Sequence, residues 1–542
     1  MSGARGRAAD GIMGAAGLIA VLTIASRLVG FVRWLVHSWM LEGGSVTAGA
    51  YATANQIPNI LFEVAAGGAL ASVVVPLVAA PLARSMRGEV DRTASALMTW
   101  TVLALVPVAG VVALAAGWIA GLLPDAVALS SQEAADADAL VTYLLRIFAI
   151  QIPLYGVGIV LTGVLQAHRK FFWPALAPML SSIVVIGSYV VFGALAAGQQ
   201  GNPGALSGAA RAWLGWGTTA GVVAMSVPLL IPVWRLGVRL RPRFDFPEGE
   251  GRHALRLAGA GLGALFAQQL AVLAVVVLAP LGGDAGTLSI FQYAQAVYVL
   301  PYAIFAVPLA TAVFPRLSEF AATHSRVEFF RLTTVSTRLI LVVGFVGMAV
   351  LVADAPTAAA VFRVTDAMGD AIAWLAPGVV GFALVFHSSR VLYAVDRGRS
   401  AVTATAAGWL AVVAASTVLV RVMAPDGGDS GATLRALAMG NSIGMVLAGA
   451  GLLFATHRLT GGEGTGGTLR TIAIAGAGAI AGGLLGRLVV DATLDLAGSG
   501  LIGSILAAIP GALVALGVTL AAVYLLDRAT LGPLLARIGV KS

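Results

Sequence analysis

The stretch Ala25–Trp39, "ASRLVGFVRWLVHSW", sets Arg27 and Arg33 inside a run that is otherwise apolar and long enough to lie in a membrane. Runs of about 20 mostly apolar residues, the length a helix needs to cross a hydrocarbon core about 30 Å thick, recur from here almost to Ser542. The composition agrees: of 542 residues 59% are hydrophobic and 11% charged, with a mean hydropathy of +0.93, far from the balance of soluble domains. The runs are continuous and rich in Ala, Leu, Val and Gly, without the alternation of outer-membrane strands, so each segment must satisfy its own backbone hydrogen bonds. The expected fold class is an all-α polytopic membrane protein.

Spans are expected at 17–40, 50–82, 95–121, 138–166, 172–197, 211–235, 254–281, 286–314, 331–353, 372–394, 401–423, 433–457, 470–491 and 500–526, fourteen transmembrane helices in all. The second, with Pro58, Gly67, Gly68 and Pro76, is long and expected to bend or unwind. Arg27 interrupts the first run and no small-residue cleavage site closes it, so that segment is expected to be retained. Loop charge tests the list through the positive-inside rule. With both termini cytoplasmic, the inner loops carry "ARSMRGEVDR", "HRKFF", "RLGVRLRPRF", "RVEFFR", "VDRGR" and "HRL". The outer loops carry "LPDAVALSSQEAADAD", "GGDAG", "TDAMGD" and "APDGGDSG", with Arg211, Arg363, Arg421 and Arg435 as exceptions. The formal net charge of +8 is therefore read as orientation in a membrane, with no nucleic-acid partner.

The chain also resembles itself. "ASVVVPLVAAP" from Ala71 matches "ATAVFPRLSEF" from Ala310, and "VLQAHRK" from Val164 matches "VLYAVDR" from Val391, at offsets of 239 and 227 residues. A parallel repeat of two six-helix lobes is expected, residues 1–240 and 241–460, with helices 13 and 14 and a cytoplasmic tail in 461–542.

Arginine near the centre of a membrane helix costs about 2.5–3.5 kcal/mol on insertion scales, so Arg27 and Arg33 are expected to face water or a partner. Glu63, at similar depth in the second span, is the candidate partner for Arg27 in a purely structural ion pair. One acid cannot neutralise two arginines. His37 lies one turn beyond Arg33, and Arg146 adds charge in the fourth span. The excess suits an anionic guest, and the planar guanidinium fork suits phosphate oxygens. Spacing from the repeated proline motif brings Gln268 and Gln269 to the place of Arg27 in the second half, and Gln292 and Gln295 follow in the eighth span. These amides fit either a sugar or peptide guest or interhelical hydrogen bonds. "NQIPNILFEVAAGG", Asn55–Gly68, adds Asn59 and Glu63 to a proline and a glycine pair, the make-up of a broken helix beside a transport site. Arg338 and Arg390, near the inner boundary, are read as headgroup anchors.

Cysteine is absent, which removes disulfides, thiol catalysis and thiolate metal sites. "GGEGTGGT" from Gly461 lacks the lysine of a phosphate loop, the histidines and acids show no metal-ligand spacing, and no serine sits in a nucleophile elbow. No enzyme, cofactor, metal or ATP motor is expected.

"SRLVGFVR" from Ser26, followed by "IPNILFEVAAGGALASVVVPLVA" from Ile57, resembles the MviN/MurJ family of lipid II flippases. "HRKFFWPALAP" and "YAIFAVPLATAVFPRLSE" extend the resemblance along the chain, and "NILFE" with the glycine pair resembles its actinobacterial branch. The resemblance implies two six-helix lobes around a central cavity in a bacterial cytoplasmic (inner) membrane, within a superfamily that includes multidrug antiporters and polysaccharide flippases. It implies transfer of undecaprenyl-pyrophosphate-linked disaccharide-pentapeptide, lipid II, from inner to outer leaflet by alternating access. Arg27 and Arg33 match the first-helix arginines of that family, which hold the pyrophosphate, and the last two helices match its groove for the lipid tail. Membrane lipids and cell-wall synthesis proteins are the implied partners.

This chain departs from the family pattern at Trp34 and Gly49, where many members have acids, and at Phe62 and Glu63, where many have arginines. Tyr293 to Ala296 replaces a "YADR" stretch, so fewer cavity cations are expected. The substrate-binding candidates are Arg27, Arg33, Asn59, Glu63, Arg146, Gln268 and Gln295. A polysaccharide-lipid flippase shares the pyrophosphate, a drug exporter for cations would want acids instead, and a non-transporting scaffold for cell-wall synthesis would pair Arg27 with Glu63.

Overall fold

The computed structural model describes residues 2–64, 69–245, 262–498, 500–528 and 530. Among the described residues twelve helices are long and apolar enough to cross a membrane by length and composition, and no strand occurs. With no water in a bilayer core, helices satisfy each N–H and C=O within the segment. The chain clusters into two compact units, residues 1–124 with 129–265, and residues 125–128 with 266–542.

The first unit contains α1 (Ser2–Leu41), α2 (Val46–Phe62), α3 (Ala69–Ala83), α4 (Arg87–Leu114), α5 (Ala116–Ala120), α6 (Ser131–Phe148), α7 (Gln151–Ala167), α8 (Phe172–Ala196), α9 (Gly208–Ser226) and α10 (Leu230–Arg235). Helix α1 packs on α8, α8 on α9, α2 on α6, and α3 and α4 on α7. Leu144, Phe148, Tyr189 and Phe192 fill one core and Val78, Leu161, Val164 and Val233 another.

Four predicted spans are interrupted here: the third at Ala115 between α4 and α5, the sixth by a 3-10 turn at Val227–Leu229 between α9 and α10, and the fourth and second as follows. The fourth breaks at Ala149–Ile150 between α6 and α7, three residues before Pro153, whose ring and missing N–H disrupt the preceding turn. The second keeps Pro58 buried inside α2, then widens to a π turn at Glu63–Val64. Gly67 and Gly68, expected to help bend this span, lie outside the described residues.

The second unit contains α11 (Leu262–Gly282), α12 (Thr287–Pro301), α13 (Val307–Ala322), α14 (Arg326–Phe362), α15 (Ala367–Ala394), α16 (Gly398–Met423), α17 (Ser430–Thr460), α18 (Thr468–Ala497) and α19 (Leu501–Leu526). A π turn at Tyr302–Ala306 joins α12 to α13. It begins 239 residues after Glu63, the interval that separates the two proline motifs. Wide turns of this kind relax a helix at one place without exposing its backbone, and they concentrate at functional sites.

Small residues let α18 and α19 approach each other. Gly478, Gly482 and Gly486, one turn apart, face Gly511, Ala515 and Thr519, and a Cβ on Gly482 would lie 2.6 Å from the carbonyl oxygen of Ala515. Close backbone approach of this kind supplies the packing that hydrophobicity cannot supply between helices in lipid. Both helices also pack on α14. Arg338 of α14 does not reach out as the expected anchor, because it is drawn into a protein network: its Nη2 donates to Asp527 Oδ1 at 2.5 Å, and its Nε donates to Thr471 Oγ1 at 3.0 Å. Thr471 and Thr530 donate to the other carboxylate oxygen, and the Asp527 side chain is 2% exposed. Burial alone would raise the Asp527 carboxyl, but the hydrogen bonds from Thr530, Thr471 and Arg338 hold it below the usual carboxylate range.

Two outcomes follow for thermal unfolding of the purified chain in detergent. Gly482→Leu should destabilise by about 1–3 kcal/mol, the usual cost of overpacking, and an unchanged midpoint would contradict the close approach. Asp527→Asn should cost roughly 3 kcal/mol, since it leaves a partly buried guanidinium without its anion. A depressed folded-state value makes this contribution complete above about pH 4, the range of an unfolded carboxyl, with loss only as pH falls through the lower folded value. The difference between wild type and Asp527→Asn should therefore stay constant from about pH 5 to 8, well above that carboxyl range.

Candidate functional site

Arg27 and Arg33 are six residues apart on α1, which at 1.5 Å and 100° per residue separates them by about 9 Å along the axis and about 120° around it. They therefore look in different directions. Arg27 is exposed beside Ile24 and Leu28 on one face of α1, whereas Arg33 is half-buried on the side that carries His37. The Arg33 guanidinium carbon lies 5.5 Å from the centre of the Trp34 ring. Neither arginine is in an ion pair among the described residues, and Glu63 has no ion-pair partner there. The Arg27–Glu63 pair of the purely structural reading is not formed.

Around Arg33 the first unit gathers polar side chains from five helices. His37, 2% exposed, sits with its ring centre 5.0 Å from Tyr51 of α2 and 4.9 Å from Tyr189 of α8. The Tyr51 hydroxyl is 2.8 Å from that of Tyr189 and 3.2 Å from Thr218 Oγ1 of α9, which itself donates to the Leu214 carbonyl. In α7, Gln151 donates to Thr219 Oγ1 at 3.0 Å, and Tyr155, one turn on, lies 4.6 Å from the Phe62 ring. Most buried polar groups are hydrogen-bonded, and the Tyr51–Tyr189–Thr218 and Gln151–Thr219 bonds tie α2, α7, α8 and α9 together near Arg33. Arg33 interacts electrostatically with His37, Tyr51 and Tyr155, and Glu63 with Tyr155. Arg33 and Glu63 thus border one polar region.

Asn55, Asn59 and Glu63 fall at i, i+4 and i+8, which aligns two amides and a carboxylate along one face of α2 and into its π turn. Asn59 is half-buried and Glu63 exposed. From the Phe62–Tyr155 contact a cavity of about 350 Å³ runs between α7, α8 and α9, with Thr162 and Gln166 as polar points and Pro174, Pro178 and Met225 as apolar wall. Its chemistry suits a mostly apolar guest with a few hydrogen-bonding groups.

Arg146 makes no side-chain hydrogen bond or ion pair with this cluster among the described residues. It is exposed in the last turn of α6. Gln268 is half-buried and Gln269 buried in α11, and Gln292 and Gln295 are half-buried in α12 beside Tyr293, which stacks on Phe362 at 5.3 Å. Among the described residues no group of three or more His, Asp or Glu is placed to hold a metal ion.

Tyr51, Tyr155, Tyr189, Gln151 and Thr218 escape the sequence reading. They are scattered through apolar spans, as in "GAYATAN", "QIPLYG" and "GSYVV", where a hydroxyl or amide is equally consistent with an isolated interhelical bond. The usable signal is that they fall in four of the six expected spans of the first half.

The description "Lipid II flippase MurJ" matches residues 41–486 of the chain. Relatives include a "Probable lipid II flippase MurJ" of Synechocystis, 29% identical over 250 residues, 44% of each chain. Another of Thermotoga maritima is 28% identical over 299 residues, 55% of each chain, and one of Rhizobium meliloti is 28% identical over 306 residues, 55% of this chain and 53% of the relative. The chain thus spans about half the length of the curated relatives it matches. Among solved structures, "Lipid II flippase MurJ, inward closed conformation" superposes with a TM-score of 0.70 at 18% identity, covering 94% of this chain and 99% of that one. An inward-facing multidrug resistance MATE family transporter of the MOP superfamily follows with a TM-score of 0.65 at 15% identity, covering 82% and 99%. The fold is that of these transporters, and the family match over most of the chain decides the rest: the chain belongs to the MurJ family of lipid II flippases.

Proposed function

We propose that the protein moves lipid II from the inner to the outer leaflet of a bacterial cytoplasmic membrane by alternating access. In this reading fourteen helices, with both termini cytoplasmic, form an N-terminal lobe (1–240) and a C-terminal lobe (241–460) around a central cavity, followed by helices 13 and 14 in 461–542. The observation that carries it is the pair of α1 arginines without carboxylate partners among the described residues. A cation left in an apolar helix at this cost implies a guest that supplies the anion, and a pyrophosphate offers acceptor oxygens to each guanidinium fork in turn along α1. The network of Tyr51, Tyr189 and Thr218, with the His37 ring of α1 packed against both tyrosines, supports it by holding α1, α2, α8 and α9 together while the charge is being filled or emptied.

Asn59, Glu63 and Arg146 are assigned to the headgroup path in the first lobe, and Gln268 and Gln295 to sugar or peptide groups in the second. The polyprenyl tail stays in lipid, in a groove beside α18 and α19. An inside-negative potential assists both outward movement of the anionic cargo and return of the emptied cationic site, at about 2.3 kcal/mol per charge per 100 mV.

The test is depletion of the native protein while labelled lipid II is followed, with variants supplied from a second copy. Arg27→Ala or Arg33→Ala should lower outward appearance of lipid II by roughly 10- to 100-fold at wild-type protein abundance, the loss expected when one charge-assisted contact disappears. Arg33→Lys should recover part of it, since a point charge replaces a fork. Wild-type transport by both alanine variants would reject the proposal, as would undiminished lipid II export after depletion in a host with no second flippase.

A further inference from the structure

After α10 the chain turns at Gly237, whose φ of +85° suits only glycine, and runs extended as "VRLRPRFD" to Asp245. This strap lies along α4. The backbone N–H of Arg239 donates to Asp91 Oδ1 at 3.1 Å, that of Arg241 to Ser95 Oγ at 3.0 Å, and that of Arg243 to Thr99 Oγ1 at 3.0 Å. Ser95 Oγ returns a bond to the Arg239 carbonyl, and Trp100 Nε1 donates to the Phe244 carbonyl. Two extended residues advance about 6.6 Å and one helical turn of four about 6 Å, so every second strap residue meets the next turn of α4. Pro242 falls where no donor is needed.

The alternation sorts the side chains. Val238 and Leu240 join the core with Leu229 and Val233, while Arg239, Arg241 and Arg243 are all exposed on the other side. With Arg92, Glu89 and Asp91 they line a polar cavity of about 680 Å³. Asp245 holds Arg92 and Arg243 only loosely, at 3.8 and 3.7 Å, with all three side chains well exposed. A second cavity, about 630 Å³, is lined by Leu230, Ile231, Trp234 and Leu240 and shares Arg239 and Arg241 with the first. Trp234, Trp100 and Phe244 are exposed here, the aromatic signature of a membrane surface.

We propose that this strap binds the phosphate of an anionic membrane lipid, with the headgroup among Arg92, Arg239, Arg241 and Arg243 and an acyl chain along Leu230, Ile231 and Trp234. The shared arginines favour a lipid over a free phosphate, because the polar chamber opens into an apolar one. On the topology proposed above this is the cytoplasmic leaflet, but binding itself does not depend on that reading or on Arg27 and Arg33.

The experiment is native mass spectrometry of the full chain in detergent, titrated with phosphatidylglycerol or with phosphatidylcholine of the same acyl chains. Phosphatidylglycerol should bind in preference. Replacing all three strap arginines (Arg239→Gln, Arg241→Gln, Arg243→Gln) should weaken it on the order of a hundredfold, roughly fivefold per charge, without moving the thermal midpoint, since main-chain groups hold the strap. The variant Asp91→Ala, Ser95→Ala, Thr99→Val keeps every strap arginine but frees the strap, and should also weaken binding. The chain with Arg27→Ala and Arg33→Ala should bind as wild type does. Unchanged affinity in the triple glutamine variant overturns the site. Unchanged affinity with the strap freed reduces it to unspecific charge, and release of the lipid by millimolar inorganic phosphate overturns the lipid assignment.

Discussion

A guanidinium in an apolar helix, with no carboxylate against it among the described residues, is the constraint on which this protein turns. Desolvating such a charge is unfavourable by several kcal/mol unless water, a polar network or a guest replaces the lost hydration. At Arg33 part of the replacement is visible: Trp34 offers its ring at 5.5 Å, and His37, Tyr51 and Tyr155 are near enough to interact with the charge electrostatically without carrying a carboxylate. Neutral dipoles can hold a cation in place without satisfying it, which leaves its attraction for an anion intact. An acid in the position of Trp34 would have quenched much of that attraction.

The helices that hold this charge are kept from being uniform rods. Lipid forbids an unsatisfied backbone, so a span can be loosened only by turns that keep their hydrogen bonds internal. The π turns at Glu63 and Tyr302, one in each unit and 239 residues apart like the two proline motifs, are such places, and the break before Pro153 is a third. Glu63 therefore stands where the second helix changes pitch, directly after Phe62 meets Tyr155. A headgroup path placed there could change width through one turn of helix rather than through unfolding.

Elsewhere the chain is built for close packing. Gly478, Gly482 and Gly486 bring α18 onto α19, and Asp527 ties both to α14 through Arg338 and Thr471. A charge pair at the end of a span, supported by two threonine hydroxyls, ties the end of α19 to α14 and α18. The same economy appears in the strap along α4, where side chains of Asp91, Ser95 and Thr99 receive backbone N–H groups that would otherwise need water.

Much of this was legible in the amino-acid order, because hydropathy acts residue by residue. Membrane class, the approximate spans, the interrupted second span and the location of Arg27 and Arg33 all follow from runs of apolar residues and from single charges inside them. The two proline motifs were legible in the same way, 239 residues apart, and each follows shortly after a π turn. Which residues surround Arg33 was not, since Tyr51, Gln151, Tyr155, Tyr189 and Thr218 come from separate spans and gain meaning only when α1, α2, α7, α8 and α9 pack. Tertiary structure alone paired Arg338 with Asp527, 189 residues away, and turned an arginine-rich loop into an ordered strap. Charge and hydropathy are properties of a residue, whereas partnership depends on which distant helices share a face, and that is decided by packing.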